Sequence, residues 1–230
     1  MSASPGKVHI LARGADFIIA SKPSGLPTSG RTLDDPDCLQ FQLMTHLRRR
    51  KVWAVHQLDK GTSGACIFAL KKASVALWAD RLKAGRKIYL ALCEGRLSGT
   101  HEVRAPIGRV RLPTGHTQPA LMPKGKSAHS TLKGLTYVKG HSLVMAEIHS
   151  GRTHQIRLHL AHLGHPLIGE SMHRTPPCER LAYPALHSWC LELPLAGEEP
   201  LRIVAPLPSH LKEVLMSLDF ALPDTAAVGF

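Results

Sequence analysis

Apolar residues recur along the chain in two rhythms, short continuous runs and steps of three or four. Val8 to Leu11 and Phe17 to Ala20 read as two strands joined by a turn at Arg13-Gly14-Ala15-Asp16. Lys22-Pro23-Ser24-Gly25-Leu26-Pro27 ends the second, and residues 28–37 form a polar loop. From Cys38 to Arg50 the spacing of Leu39, Leu43 and Leu47 predicts a helix. Val52 to Val55 and Ala65 to Leu70 predict two further strands; between them, Lys72 onward to Gly85 being the next helix, lies a polar segment with two glycines. That helix turns Val75, Trp78 and Leu82 inward, and Arg86 to Glu94 follows as a strand with Tyr89 in its middle. Thr136 to Lys139 and Ser142 to Ile148 predict an antiparallel pair turning at Gly140. Thr153 is placed to cap a helix that turns Ile156, Leu160 and Leu163 inward and stops at Gly164. Pro176-Pro177 marks a loop, Leu201 to Val204 a last strand, and Lys212 to Leu218 a terminal helix. Periodicity alone supports a mixture of α and β. No repeat or linker divides it, so one domain over residues 1–230 is expected.

The stretch between 96 and 133 differs. Its periodicity is weak, it is rich in Gly and Pro, and it carries Arg96, Arg104, Arg109, Arg111, Lys124, Lys126 and Lys133 against Glu102 alone. It reads either as hairpins and loops over a polyanion-binding face or as a surface insertion. Charge adds weight to the first reading. The 230 residues hold 29 Lys and Arg against 17 Asp and Glu, a formal +12. The last forty residues run the other way, with Glu192, Glu198, Glu199, Glu213, Asp219 and Asp224 against Arg202 and Lys212. A basic body of this kind favours a polyanionic partner, because binding releases condensed counterions. Arg48-Arg49-Arg50-Lys51 suits either a phosphate contact or a solvated helix end. Five cysteines without Cys-x-x-Cys spacing argue against a disulfide framework and for a reducing compartment. No apolar run approaches the roughly 20 residues of a membrane helix, so no membrane partner and a cytoplasmic location are expected.

Chemistry concentrates in His56-Gln57-Leu58-Asp59-Lys60-Gly61-Thr62-Ser63-Gly64, the polar segment between two strands. A carboxylate flanked by glycines on a scaffold suits catalysis, and the same residues suit a turn in which Thr62 and Ser63 bond the backbone. The motif resembles the signature of the RluA-type family of RNA pseudouridine synthases, usually His-Arg-Leu-Asp-x-x-Thr-Ser-Gly. Four more matches follow the family's order. They are Asp16 to Leu26 with its Lys-Pro-x-Gly loop, Lys87-Ile88-Tyr89, Ser150-Gly151-Arg152-Thr153-His154-Gln155-Ile156-Arg157-Leu158-His159 continuing to Gly164–Glu170, and Leu186-His187.

That resemblance implies an α+β fold: a single catalytic domain whose long, mixed, mostly antiparallel sheet is flanked by helices, with a central basic cleft. It implies conversion of uridine to pseudouridine in a tRNA or rRNA stem-loop, by a monomer without metal or organic cofactor. Asp59 becomes the nucleophile, Arg157 the counter-charge that keeps it ionised, and Tyr89 the ring that stacks on uracil and assists proton transfer. RNA contacts are expected at His56, Gln57, Thr62, Arg152, Thr153, His154, Gln155 and Leu158, and at Arg109 and Arg111 of the basic stretch. The first motif begins by residue 9, so recognition is expected to come from the catalytic domain itself. One position departs: Gln57 stands where the family has arginine, and brings no charge to a phosphate. A catalytically silent RNA-binding protein on the same fold is the alternative, which survival of Asp59, Tyr89 and Arg157 argues against. Helical steps could bring His159, His162 and His165 together as a metal face. No acid or cysteine joins them at ligand spacing, so polar groups lining RNA are the simpler reading.

Overall fold

The computed structural model describes residues 8–178 and 180–224. In chain order it forms β1 (His9–Arg13), β2 (Phe17–Lys22), α1 (Leu39–His46), β3 (Trp53–Ala54), β4 (Ser63–Ala69), α2 (Ser74–Ala84) and β5 (Arg86–Glu94). Then come β6 (Thr100–Val103), β7 (Ile107–Arg111), β8 (Thr117–Leu121), β9 (Ser130–Val138), β10 (His141–Ile148), α3 (Gln155–His162), β11 (Leu186–Leu195), β12 (Glu198–Val204) and α4 (Ser209–Ser217). The mixed α+β class is as expected. The described residues group into two compact units, one built from 8–86 and 187–208, the other from 87–186 and 209–224.

In the first unit the strands lie in the order β1-β2-β4-β11, with β12 beside β11 and β3 beside β4. All pairs are antiparallel except β4 with β11, which run parallel through His187↔Ser63 and Ser188↔Gly64. Every residue of β4 is buried, so both of its faces are covered. One face, Ala65 and Ile67, joins Ile19, Leu191 and Leu193, and α2 lays Trp78 and Leu82 on it. Alternate β-positions share a face, and residues three or four apart share a helix stripe, which is why this small set meets. Gly64 is required here. Its φ is +110°, and a Cβ would fall 2.1 Å from the Ser188 carbonyl oxygen.

In the second unit the order is β5-β10-β9-β6, all antiparallel, with β7 and β8 as a separate hairpin. Leu158 of α3 packs with Ile107, Ala128 and Leu121.

The structure differs from the expected pattern at four places. Strand β11 was not read from the pattern, because the polar but fully buried His187 and Ser188 interrupt its apolar run. Strand β9 begins at Ser130 rather than Thr136, its first half pairing with β6. Thr153 does not cap α3. His154 holds the N-cap position in the left-handed region, φ 57°, without a side-chain cap bond. Helix α1 also ends sooner than Arg50, since Arg48 and Arg49 take positive φ.

Candidate active site

Asp59 sits on a segment fixed from both sides. Just before it, the Leu58 amide donates to Thr28 Oγ1 (3.0 Å), and that hydroxyl donates to the Leu58 carbonyl (3.1 Å). Just after it, the Lys60 carbonyl accepts from the Gly25 amide (2.8 Å) and from Lys22 Nζ (3.1 Å). Lys22 also donates to the carbonyls of Leu26 (2.6 Å) and Pro23 (3.0 Å), so one ammonium gathers the 22–26 loop against residue 60. The Asp59 carbonyl accepts from the Thr62 amide (3.0 Å). The segment is a turn whose backbone is fixed on both sides of Asp59. Lys22 is 1% exposed, and burial lowers its pKa to about 8 against the opposing charge of Asp59. It is a buried cation whose field reaches the Asp59 carboxyl.

The neighbouring motif residues divide. Gln57 is exposed, and its Nε2 donates to Ser29 Oγ (2.8 Å). The half-buried His56 accepts the Ile67 amide on Nε2 (3.2 Å), tying the segment to β4. Thr62 is buried. Ser63 bonds His187 Nδ1 (2.8 Å), while His187 Nε2 donates to the Ala205 carbonyl (3.2 Å), which makes the Ser63 hydroxyl the donor to the ring. The late Leu-His element thereby acquires a structural task, the joining of β4 to β11.

In the second unit, Arg157 lies in the first turn of α3 and is 6% exposed. Its guanidinium makes two parallel bonds to Glu170, Nε to Oε2 and Nη2 to Oε1, both 2.7 Å. Glu170 Oε1 also accepts the amides of Met172 (2.8 Å) and His173 (3.2 Å). Burial alone would raise the Glu170 pKa. The Arg157 bonds and charge, with the two amides, outweigh it and hold the carboxyl at about 2. Tyr89 stands in the middle of β5, 6% exposed and opposite Ala146 of β10. Lys87, two residues earlier on the same face, is also buried, and burial lowers its pKa against the charge of Glu147.

The segment leading into α3 is held by Gln155. Its Oε1 accepts from Ser150 Oγ (2.7 Å) and the Arg152 amide (3.1 Å), while Nε2 donates to the His129 carbonyl (2.8 Å) and Ser130 Oγ (2.9 Å). Expected at RNA, Gln155 instead spends its amide inside the protein, and Leu158 is packed away in an apolar cluster. Thr153 is exposed. Arg152 is half-buried and donates to the Ser127 carbonyl (2.9 Å). His154 Nδ1 pairs with His173 Nε2 (2.8 Å), and burial, then the Arg157 charge, pull its pKa down to about 4. Arg109 and Arg111 are exposed and two apart on β7, hence on one face of the hairpin.

Lys22, Lys87 and Glu170 lie inside the motifs quoted from the sequence but, like Thr28, carry no role there. Glu170 did carry a signal, as the only acid between residues 148 and 178 of a basic chain.

Residues 16–162 match the family described as RNA pseudouridylate synthase. YhcT of Bacillus subtilis, an uncharacterized RNA pseudouridine synthase, is 35% identical over 179 residues, 73% of this chain and 58% of that protein. The ribosomal large subunit pseudouridine synthase D of Nitrosomonas europaea is 33% identical over 227 residues, 92% of this chain and 65% of that one. The chain thus spans between half and two thirds of the length of these two relatives. Among solved structures, human RNA pseudouridylate synthase domain containing 1 superposes with a TM-score of 0.72 at 25% identity, over 97% of this chain and 99% of that one. Human RNA pseudouridylate synthase domain containing 4 gives 0.75 at 21%, over 94% and 95%, a likeness of fold.

Proposed function

The chain belongs to the RNA pseudouridylate synthase family, and we propose that it is an isomerase converting uridine to pseudouridine in structured RNA. As one catalytic domain it acts on a tRNA or rRNA stem-loop. The reaction breaks the bond between N1 of uracil and C1′ of ribose, turns the base, and joins C5 to C1′. The C5 proton departs and N1 gains one, so no electron or group donor enters. Asp59 is the nucleophile. The observation that carries this role is the double clamp on its segment, Thr28 on one side and Lys22 with Gly25 on the other. A backbone so held fixes where the side chain starts from, which lowers the entropy lost in positioning it at the reacting carbon.

By the family resemblance Arg157 supplies positive charge to the reaction, and its bidentate anchorage on Glu170 fixes the guanidinium plane. Tyr89 stacks on the uracil and assists the proton transfer. Arg109 and Arg111 bind phosphate. Flipping the target out of its stack costs a few kcal/mol, which these contacts must supply. No helix among the described residues is long and apolar enough to cross a membrane.

Asp59→Asn tests the assignment. It keeps the shape and the backbone clamp but removes the charge, so RNA binding should persist while single-turnover isomerisation disappears. Turnover near the wild-type rate would refute the mechanism. Mapping pseudouridines in cellular RNA with and without the chain identifies the substrate; an unchanged map would refute the activity.

A further inference from the structure

Glu102, His129 and His149 come from three separate places in the sequence and meet on the second unit. Glu102 lies on β6, His129 immediately before β9 and His149 immediately after β10. One ligand atom from each lies within 4.8 Å of the other two. We propose that these three side chains form a surface site for a borderline divalent transition metal ion such as zinc.

The frame is rigid. The His149 amide donates to the His129 carbonyl (3.0 Å), and the His129 amide donates to Ser150 Oγ (3.0 Å). Glu102 is registered against Thr131 of β9, and Thr131 against Glu147 of β10. The two imidazoles stack with centroids 4.2 Å apart and planes at 27°. His129 Nε2 bonds Glu102 Oε2, and the Thr131 hydroxyl bridges Glu102 Oε1 (2.6 Å) and His149 Nε2 (2.9 Å). The donor atoms therefore converge already, whereas surface histidines usually diverge into water.

Two imidazole nitrogens and one carboxylate oxygen select zinc, nickel or copper over magnesium or calcium, which take oxygen ligands. With metal–ligand bonds of about 2.1 Å, tetrahedral ligand atoms stand roughly 3.4 Å apart, so movements of about an ångström suffice. Binding frees His149 Nε2 by shifting its hydrogen to Nδ1, and replaces the His129–Glu102 hydrogen bond with metal bonds. Solvent completes the coordination. The site is distinct from the 154–165 histidines that the sequence brought forward. There His159 is committed to Ser130 Oγ and the Ala105 carbonyl (both 3.0 Å).

The test is calorimetric titration of the chelator-treated full chain with zinc chloride, comparing wild type with Glu102→Gln, His149→Ala and His154→Ala. Glu102 and His149 are exposed, so their variants should fold, and unchanged metal-free melting temperatures verify that. One equivalent should bind the wild type at a Kd of about 10 μM or tighter, and each of the first two variants at least about tenfold more weakly. His154→Ala should match wild type. Cobalt should give visible d–d bands with wild type that His149→Ala lacks. Absence of saturable binding, a loss smaller than tenfold in either cluster variant, or a loss in His154→Ala would overturn the assignment.

Discussion

Glu170→Gln isolates the task of the Arg157 anchor. The carboxylate is fully buried, and its partner's side chain is only 7% exposed. Glutamine keeps the volume and one oxygen for the Met172 and His173 amides, but turns an NH2 toward the guanidinium where an oxygen stood. Removing one member of a buried ion pair costs about 3–5 kcal/mol. The titration of Glu170 leads to a similar figure. A carboxyl at about 2 in the folded chain, against 4.5 ordinarily, corresponds to about 3 kcal/mol. The sign follows from the direction. A lowered carboxyl pKa stabilises the fold fully above about 4.5, and that stability is lost as pH falls from there toward 2. Thermal unfolding at pH 7 should therefore show Glu170→Gln lower by roughly 6–12 °C. The gap should narrow steadily below pH 4.5. Single-turnover isomerisation should fall by at least about tenfold, with RNA affinity nearly unchanged, because the variant frees the Arg157 plane rather than removing its charge. A gap below about 1 kcal/mol that does not vary with pH would refute the reasoning, since exposed pairs behave in that way.

Three further outcomes follow from the geometry. Neutralising Arg109 and Arg111 together should weaken RNA binding and reduce the salt slope by up to about two, with little change in rate at saturating RNA; a rate that saturation does not restore would put them in the chemistry. Gln57→Ala should lower activity on a stem-loop by at most about tenfold, and less on linear RNA where flipping is easier. A defect as deep as that of Arg157→Ala, and equal on both RNAs, would make Gln57 a catalytic group. Lys22 should titrate near pH 8, followed by the nitrogen resonance of its side chain. Its lowered pKa means the fold bears the cost of a buried charge below 8 and sheds it as pH rises toward 10.5, so stability relative to Lys22→Gln should climb across that interval. A flat difference would refute the burial argument.

What the sequence made legible was whatever depends on local rhythm or on contiguous motif. Trp78 and Leu82 face the core as the helical step requires, and Arg109 and Arg111 stand together because strands alternate. What it hid depends on partners far apart in the chain. The Ser63–His187 bond spans 124 residues and the Thr28–Leu58 bond spans 30. Nothing in the local pattern marks a buried lysine as the clamp of a loop whose other end lies 38 residues on. The α3 entry departs from the local pattern for a related reason. Thr153 has the chemistry of an N-cap, but Gln155 already supplies the turn with an acceptor through Oε1, so the chain enters through His154 instead. Gln155 and Leu158 were drawn toward RNA by the motif they sit in, and packing claimed both.

The departure at Gln57 takes on a definite meaning against this frame. Arginine at that position would offer charge, length and a planar fork. Glutamine keeps only a shorter planar amide, and its Nε2 reaches Ser29, the residue next to the Thr28 that clamps Leu58. The side chain therefore adds a third tie between the 28–29 loop and the Asp59 segment. The lost charge is one counterion among those a +12 chain can release, a change of about 0.9 in the salt slope on a duplex. The lost length has no comparable substitute in a residue already turned toward Ser29. On the proposed mechanism, the Asp59 segment keeps its position, while filling the gap behind a flipped base falls to other groups. On that mechanism, such a chain should lose discrimination among paired targets before it loses isomerisation.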